Sequence, residues 1–178
     1  MPSQKVLDLK SNNVELDFQQ IPADSKLELL RLSGTGLRSL DGISKAAELR
    51  ALHVTNNNIH NIPDEVFEMR NVESLFLSFN WITGTISPRI GSLSNLQELY
   101  LFRNQLRGSI PSHIGLLSSL TDFFVADNFL SGHLPDELSS LPSLEQLSVS
   151  HQQGLDLITG QVPSFSGAPK LRYGTCFR

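Results

Sequence analysis

Phe76, Tyr100 and Phe124 recur at equal steps in this chain of 178 residues, and Phe79 and Phe102 fall close behind the first two. Trp81 and Phe129 each follow a member of that series by five residues. Aromatic residues make up only 7% of the chain, so the recurrence is a pattern and not a result of abundance. Rings repeated on one face can stack, bury apolar surface of a partner, or attract a cation through their π faces. Charges accompany them. Arg103 and Asp127 continue the Phe79 series at the same step, and Glu98 and Asp122 lie two residues before Tyr100 and Phe124. His53 precedes Phe76 by nearly the same interval and would lend the same face a pH-sensitive member.

The other reactive side chains assemble into nothing catalytic. His53, His60, His113, His133 and His151 are scattered, and no pair has the His-x-x-x-His spacing of a metal site. There is no glycine-rich phosphate loop and no nucleophile beside a base. Asp64 and Glu65 are adjacent and point apart, while Asp122 and Asp127 belong to different columns of one strand. No enzyme activity, metal or cofactor is expected. A net charge of −4 and a pI near 5.7 argue against a nucleic-acid surface. No apolar run approaches the roughly 18 residues of a membrane span, Met1–Gln4 holds no apolar signal region, and no glycosylation sequon occurs. The single cysteine, Cys176, excludes an internal disulfide. These features suit a reducing compartment, or a piece of a larger protein.

A recurrent motif must position the rings. Aligned on the first residue of each unit, apolar in all but the first, starts fall at Gln4, Leu27, Leu49, Val72, Leu96, Leu120, Leu144 and Leu171, with spacings of 23, 22, 23, 24, 24, 24 and 27. Each unit opens with alternating apolar residues: Leu7/Leu9, Leu30/Leu32, Leu52/Val54, Leu75/Leu77, Leu99/Leu101, Phe123/Val125 and Leu147/Val149. Such alternation predicts a short strand with one buried face. Three residues later come Asn12, Thr35, Asn57, Asn80, Asn104 and Asn128, whose side chains can satisfy backbone groups left open by a bend. Stacked units would join the asparagines into a structural ladder. The sets Ile62/Val66/Met69, Ile86/Ile90/Leu93, Ile110/Ile114/Leu117 and Leu134/Leu138/Leu141 have the 4-then-3 spacing of a short helical or 3-10 turn.

This pattern resembles the leucine-rich repeat along essentially the whole chain. Gly84-Thr85-Ile86, Gly108-Ser109-Ile110-Pro111, Gly132-His133-Leu134-Pro135 and Gly160-Gln161-Val162-Pro163 resemble the plant-type variant, whereas the first three units are shorter and generic. The resemblance implies an α/β solenoid: a horseshoe with a parallel β-sheet on the concave face and short helical, 3-10 or irregular turns on the convex face. Residues 1–178 would form one domain of about seven full repeats and a truncated eighth. No cysteine-bearing amino-terminal cap is visible, and the eighth unit stops in its strand, with Cys176 at an inward position. A fragment is therefore expected, and with it concentration-dependent association through an uncapped end. The seventh step carries four extra residues within Ser150–Asp156, read either as neutral drift or as a contact loop.

Three outward columns follow. The first is Asp8, Arg31, His53, Phe76, Tyr100, Phe124, Ser148 and Thr175; the second Lys10, Ser33, Thr55, Ser78, Phe102, Ala126 and Ser150; the third Ser11, Gly34, Asn56, Phe79, Arg103, Asp127 and His151. The expected binding surface is His53, Phe76, Phe79, Trp81, Tyr100, Phe102, Arg103, Phe124 and Asp127. Two other readings stand beside it: an aromatic column that only stacks on itself, and a patch covered by another segment of a longer parent. The resemblance implies a non-catalytic module recognising a protein or peptide, as the ligand- or co-receptor-binding part of a receptor-like protein. That would place it on the extracellular side of the plasma membrane. The alternative is an intracellular scaffold or adaptor regulating a signalling enzyme, which would be cytoplasmic. Neither reading involves nucleic acid or direct membrane contact, and oligomeric state is open.

Overall fold

The computed structural model describes residues 5–13, 16–22, 24–155 and 157–172. Its strands in chain order are β1 (Val6–Asp8), β2 (Leu29–Arg31), β3 (Ala51–His53), β4 (Ser74–Phe76), β5 (Glu98–Tyr100), β6 (Arg107–Gly108), β7 (Asp122–Phe124), β8 (Phe129–Leu130), β9 (Gly132–His133), β10 (Gln146–Ser148) and β11 (Ile158–Thr159). One parallel sheet runs in the order β1-β2-β3-β4-β5-β7-β10. Its register has no slip: Asp8, Arg31, His53, Phe76, Tyr100, Phe124 and Ser148 are successive partners, as the first column requires.

The strands are short because the alternation is short. The middle residues Leu30, Leu52, Leu75, Leu99, Phe123 and Leu147 are buried, as are Leu32, Val54, Leu77, Leu101, Val125 and Val149 just beyond the strands. One continuous core runs the length of the coil. No unit could bury these residues by itself; the neighbouring turns do it. After each strand the chain takes one residue in the left-handed region, at Ser11, Gly34, Asn56, Phe79, Arg103, Asp127 and His151, with φ between 53° and 70°. These are the members of the third column. A non-glycine residue in this conformation costs about 1–2 kcal/mol, so the bend persists only because the next residue holds it.

That next residue is the ladder residue. The amide of Asn104 donates to the carbonyls of Leu77 (3.1 Å) and Leu101 (3.0 Å) and accepts from the N–H of Ile82 (3.0 Å). Asn57, Asn80 and Asn128 are buried and bonded in the same way. Thr35 takes the position in its turn, its hydroxyl donating to Leu32. Asn12 differs: it is exposed, and among the described residues its amide reaches Leu9 and Lys10 of its own turn. A ladder place absent from the expected set is Gln152, whose amide donates to Val125 and Val149 and accepts from Leu130.

The convex side is crossed by short 3-10 segments at Phe18–Gln20 and Ile43–Lys45, capped by Asp17 and Gly42, and by four longer ones at Asp64–Glu68, Pro88–Ser92, Ser112–Leu116 and Asp136–Ser140; no α-helix occurs among the described residues. Proline starts all four, as the preceding residue (Pro63, Pro111, Pro135) or as the first (Pro88), which presets φ and ends the extended run. Val66, Ile90, Ile114 and Leu138 point inward. Gly115 allows close approach of the next turn, since a Cβ there would meet Glu137 Cβ at 2.5 Å.

Two small parallel pairs, β6–β8 and β9–β11, lie beyond the ladder, and no alternation in the sequence announces them. They locate the insertion. Gly108 pairs with Leu130 and Gly132 with Ile158, so the second pair is four positions wider in sequence than the first. Because Gln152 still occupies the ladder, the extra length falls between it and Ile158, where Leu155 is fully exposed. At the start of the eighth unit the N–H of Arg172 donates to Glu145. Thr175 and Cys176 lie outside the described residues.

Candidate functional site

Alternation turns the residue after each buried leucine to the concave side, and in-register pairing sets these residues side by side. Four rings consequently form a continuous row, the first three stacked and the fourth tilted against them. His53 and Phe76 lie 4.3 Å apart between centroids at 25°, Phe76 and Tyr100 4.5 Å at 13°, and Tyr100 and Phe124 4.8 Å at 60°. Phe102 branches from Tyr100 at 6.4 Å and meets Phe79 edge-on at 5.2 Å. Stacking is therefore present, at about 0.5–1.5 kcal/mol per pair beyond area burial. It does not close the surface: His53, Phe76, Tyr100, Phe102 and Phe124 remain half-buried, and Phe79 is exposed. Self-stacking and an open face coexist.

Left-handed backbone at Phe79, Arg103 and Asp127 brings these three together. The Arg103 guanidinium lies 5.1 Å from the centroid of the Phe79 ring, and its Nε donates to Asp127 Oδ2 at 3.4 Å. Arg107 repeats the motif further along the flank, 4.8 Å over Phe129. Trp81 stands apart from the stack and is 54% exposed. Open clefts of about 490 and 480 Å³ lie on its two sides. Phe129, Gln105 and Gln153 help line the first, Gly34, Asn56 and Asn58 the second, and Asn80, Trp81 and Arg103 both.

The second column departs from expectation. Ser78 and Ser150 are buried, and Ser33, Thr55, Phe102 and Ala126 are half-buried. Lys10, of the same column, is exposed, so only Ser78 and Ser150 are removed from the face. The Ser78 hydroxyl is enclosed without a hydrogen-bond partner among the described residues, as is Asp122 Oδ1.

Electrostatics divide the concave sheet. Lys10 and Arg31 lie at its amino-terminal end, each within 3.6 Å of Asp8. Glu98 and Asp122, register partners on β5 and β7, lie toward the other end. Burial, then the charge of Arg31, holds the His53 imidazole below its ordinary 6.5 against the opposing pull of Glu98 and Asp8. Burial, then Asp122 and Glu98, keeps the Tyr100 hydroxyl protonated above its ordinary 10.0. Among the described residues no His, Cys, Asp and Glu form a group able to hold a metal, and no helix is long and apolar enough to cross a membrane.

A family model described as leucine rich repeat matches residues 47–106. Among curated proteins none matches the sequence. Solved structures do. The BIR3–SERK2 complex from Arabidopsis thaliana includes a chain 30% identical, with 71% of this chain and 71% of that one covered and a TM-score of 0.61. The Arabidopsis receptor kinase HAESA, solved with the peptide hormone IDA and the co-receptor SERK1, is 28% identical over 86% of this chain at a TM-score of 0.70, and 30% of its own chain is covered. A plant ice-binding protein is 26% identical over 71% of this chain and 41% of its own, at 0.61. The chain spans 21–25% of the length of three further receptor chains that it resembles.

Proposed function

The chain belongs to the leucine-rich repeat family, and on that premise we propose that it recognises a peptide through the concave row of His53, Phe76, Tyr100 and Phe124. One observation carries this reading: rings ordered by their neighbours over four adjacent strands keep part of their surface open. Neighbouring strands are about 4.8 Å apart, so the row is roughly 15 Å long, the reach of four to five extended residues. A rigid aromatic row offers apolar area with little conformational entropy left to lose, which is where binding energy concentrates. Arg103, Asp127, Phe79 and Trp81 extend the surface around one flank. The comparison with plant receptors, two of them solved with peptide hormones or a co-receptor, supports a receptor-like parent and an extracellular location.

The test is panning of a random peptide display library on the purified chain. Peptides selected by the wild type are expected to bind at least about tenfold more weakly to the variant Phe76→Ala, Tyr100→Ala, Phe124→Ala. The column residues are half-buried and the core beneath them is unchanged, so the variant still melts cooperatively. Equal binding by the two proteins, or no selection at all, refutes the surface.

A further inference from the structure

The seven strands of the concave sheet contain three acidic residues, Asp8, Glu98 and Asp122. Asp8 is matched by Lys10 and Arg31. Glu98 and Asp122 are matched by no cation among the described residues, although Glu28, Glu73 and Asp127 elsewhere on the coil each have one. Among the described residues their side-chain hydrogen bonds come only from hydroxyls: Ser74 donates to Glu98 Oε2 at 2.6 Å and Thr121 to Asp122 Oδ2 at 2.7 Å. The other Asp122 oxygen is enclosed with no donor among them.

The two carboxylates are register partners on adjacent parallel strands, and two residues further along lie Tyr100 and Phe124, also partners. Residues two apart on a strand share a face, so the acids and the rings line the same surface. Like charges set directly across from each other are unfavourable, and among the described residues only the Ser74 and Thr121 hydroxyls offset them. A cation set beside them would relieve that repulsion. The aromatic rings beside it would cover the apolar stem of such a side chain or take its charge on their faces.

We propose that the ligand of this face carries an arginine or lysine side chain, held beside Glu98 and Asp122 with its stem against Tyr100. The inference rests on the peptide-recognition reading above and narrows it to basic segments. Charge complementarity carries it: an unmatched acidic pair bordering an aromatic row calls for a residue that is cationic at its tip and apolar along its length. Arginine fits best, because its planar fork can donate to both carboxylates at once.

The same display library tests it, panned on the wild type and on Glu98→Gln with Asp122→Asn. These substitutions keep shape and remove the repulsion between the two charges, so the double variant is expected to melt no lower than the wild type. Wild-type selections should be enriched in Arg or Lys beside an apolar residue, and the double variant should lose that preference. For one selected peptide, Arg→Gln in the peptide and the double substitution in the protein should each weaken binding about 10- to 100-fold and should not add when combined. Peptides that depend on Phe76, Tyr100 and Phe124 yet show no basic enrichment overturn this inference and leave the recognition face standing. Failure to select any peptide dependent on those rings refutes both.

Discussion

Replacing Asn104 with alanine should reveal how the coil is held together, and the hydrogen bonds allow the cost to be worked out atom by atom. Asn104 is 6% exposed. Its amide serves three backbone groups: the carbonyls of Leu77 and Leu101 and the N–H of Ile82. They are not equally dependent on it. Leu77 also accepts from Asn80, and Leu101 also accepts from Asn128, so each carbonyl keeps one donor. The N–H of Ile82 has no other acceptor among the described residues and is left buried and unpaired. One orphaned donor costs about 1–3 kcal/mol, and the loss of a second bond to each of two carbonyls adds about 0.5–1 kcal/mol each. The sum is about 2–5 kcal/mol, with strain at the left-handed Arg103 no longer restrained. Asn12 offers the internal control. It is exposed, and its bonds among the described residues stay within its own turn, so Asn12→Ala should cost under about 1 kcal/mol. Urea titration followed by circular dichroism and Trp81 fluorescence would give both values. An Asn104→Ala loss below about 1 kcal/mol, or an equal loss at Asn12, would show that the amides are not shared between turns as described.

The pH response should be governed in part by His53. Its folded imidazole titrates below 6.5, so the folded state binds fewer protons than the unfolded chain as pH falls through that range. The stability it contributes is full above about 6.5 and is lost as pH drops through the lower folded value. Wild type should therefore lose more melting temperature between about pH 7.5 and pH 5 than His53→Phe does; identical profiles would remove His53 from the explanation. On the convex side, Gly115→Ala should destabilise by about 1–3 kcal/mol, because the added Cβ overlaps Glu137 Cβ at 2.5 Å and the next turn's backbone must shift. A neutral or stabilising effect in a thermal melt would mean that the turns are not packed as tightly as described.

Much of the architecture was legible because it is periodic. The near-constant step between units, the alternating apolar pairs and the 4-then-3 sets determine where each strand and each convex turn falls, and the observed register follows the predicted first column residue for residue. Gln152 escaped notice although it falls three residues after Val149, as Asn128 follows Val125, since the signal sought was asparagine; a longer amide reaches the same carbonyls. The four-residue insertion was visible as a length, and only the pairing of Ile158 with Gly132 placed it beyond the ladder.

Within the strands, sequence by itself determined which residues face inward and which face outward, because a period of two on a stacked strand leaves no other arrangement that buries the leucines. It also determined that the rings at 76, 100 and 124 share a row. Tertiary structure decided what that row is. Ser78 and Ser150 are buried and Arg103 lies over Phe79, and both results depend on packing between turns that periodicity does not encode. Whether the rings would be sealed by stacking or left open, and whether Glu98 and Asp122 would find a cation, depended on distances between turns remote from one another in sequence, which exist only once the coil has closed.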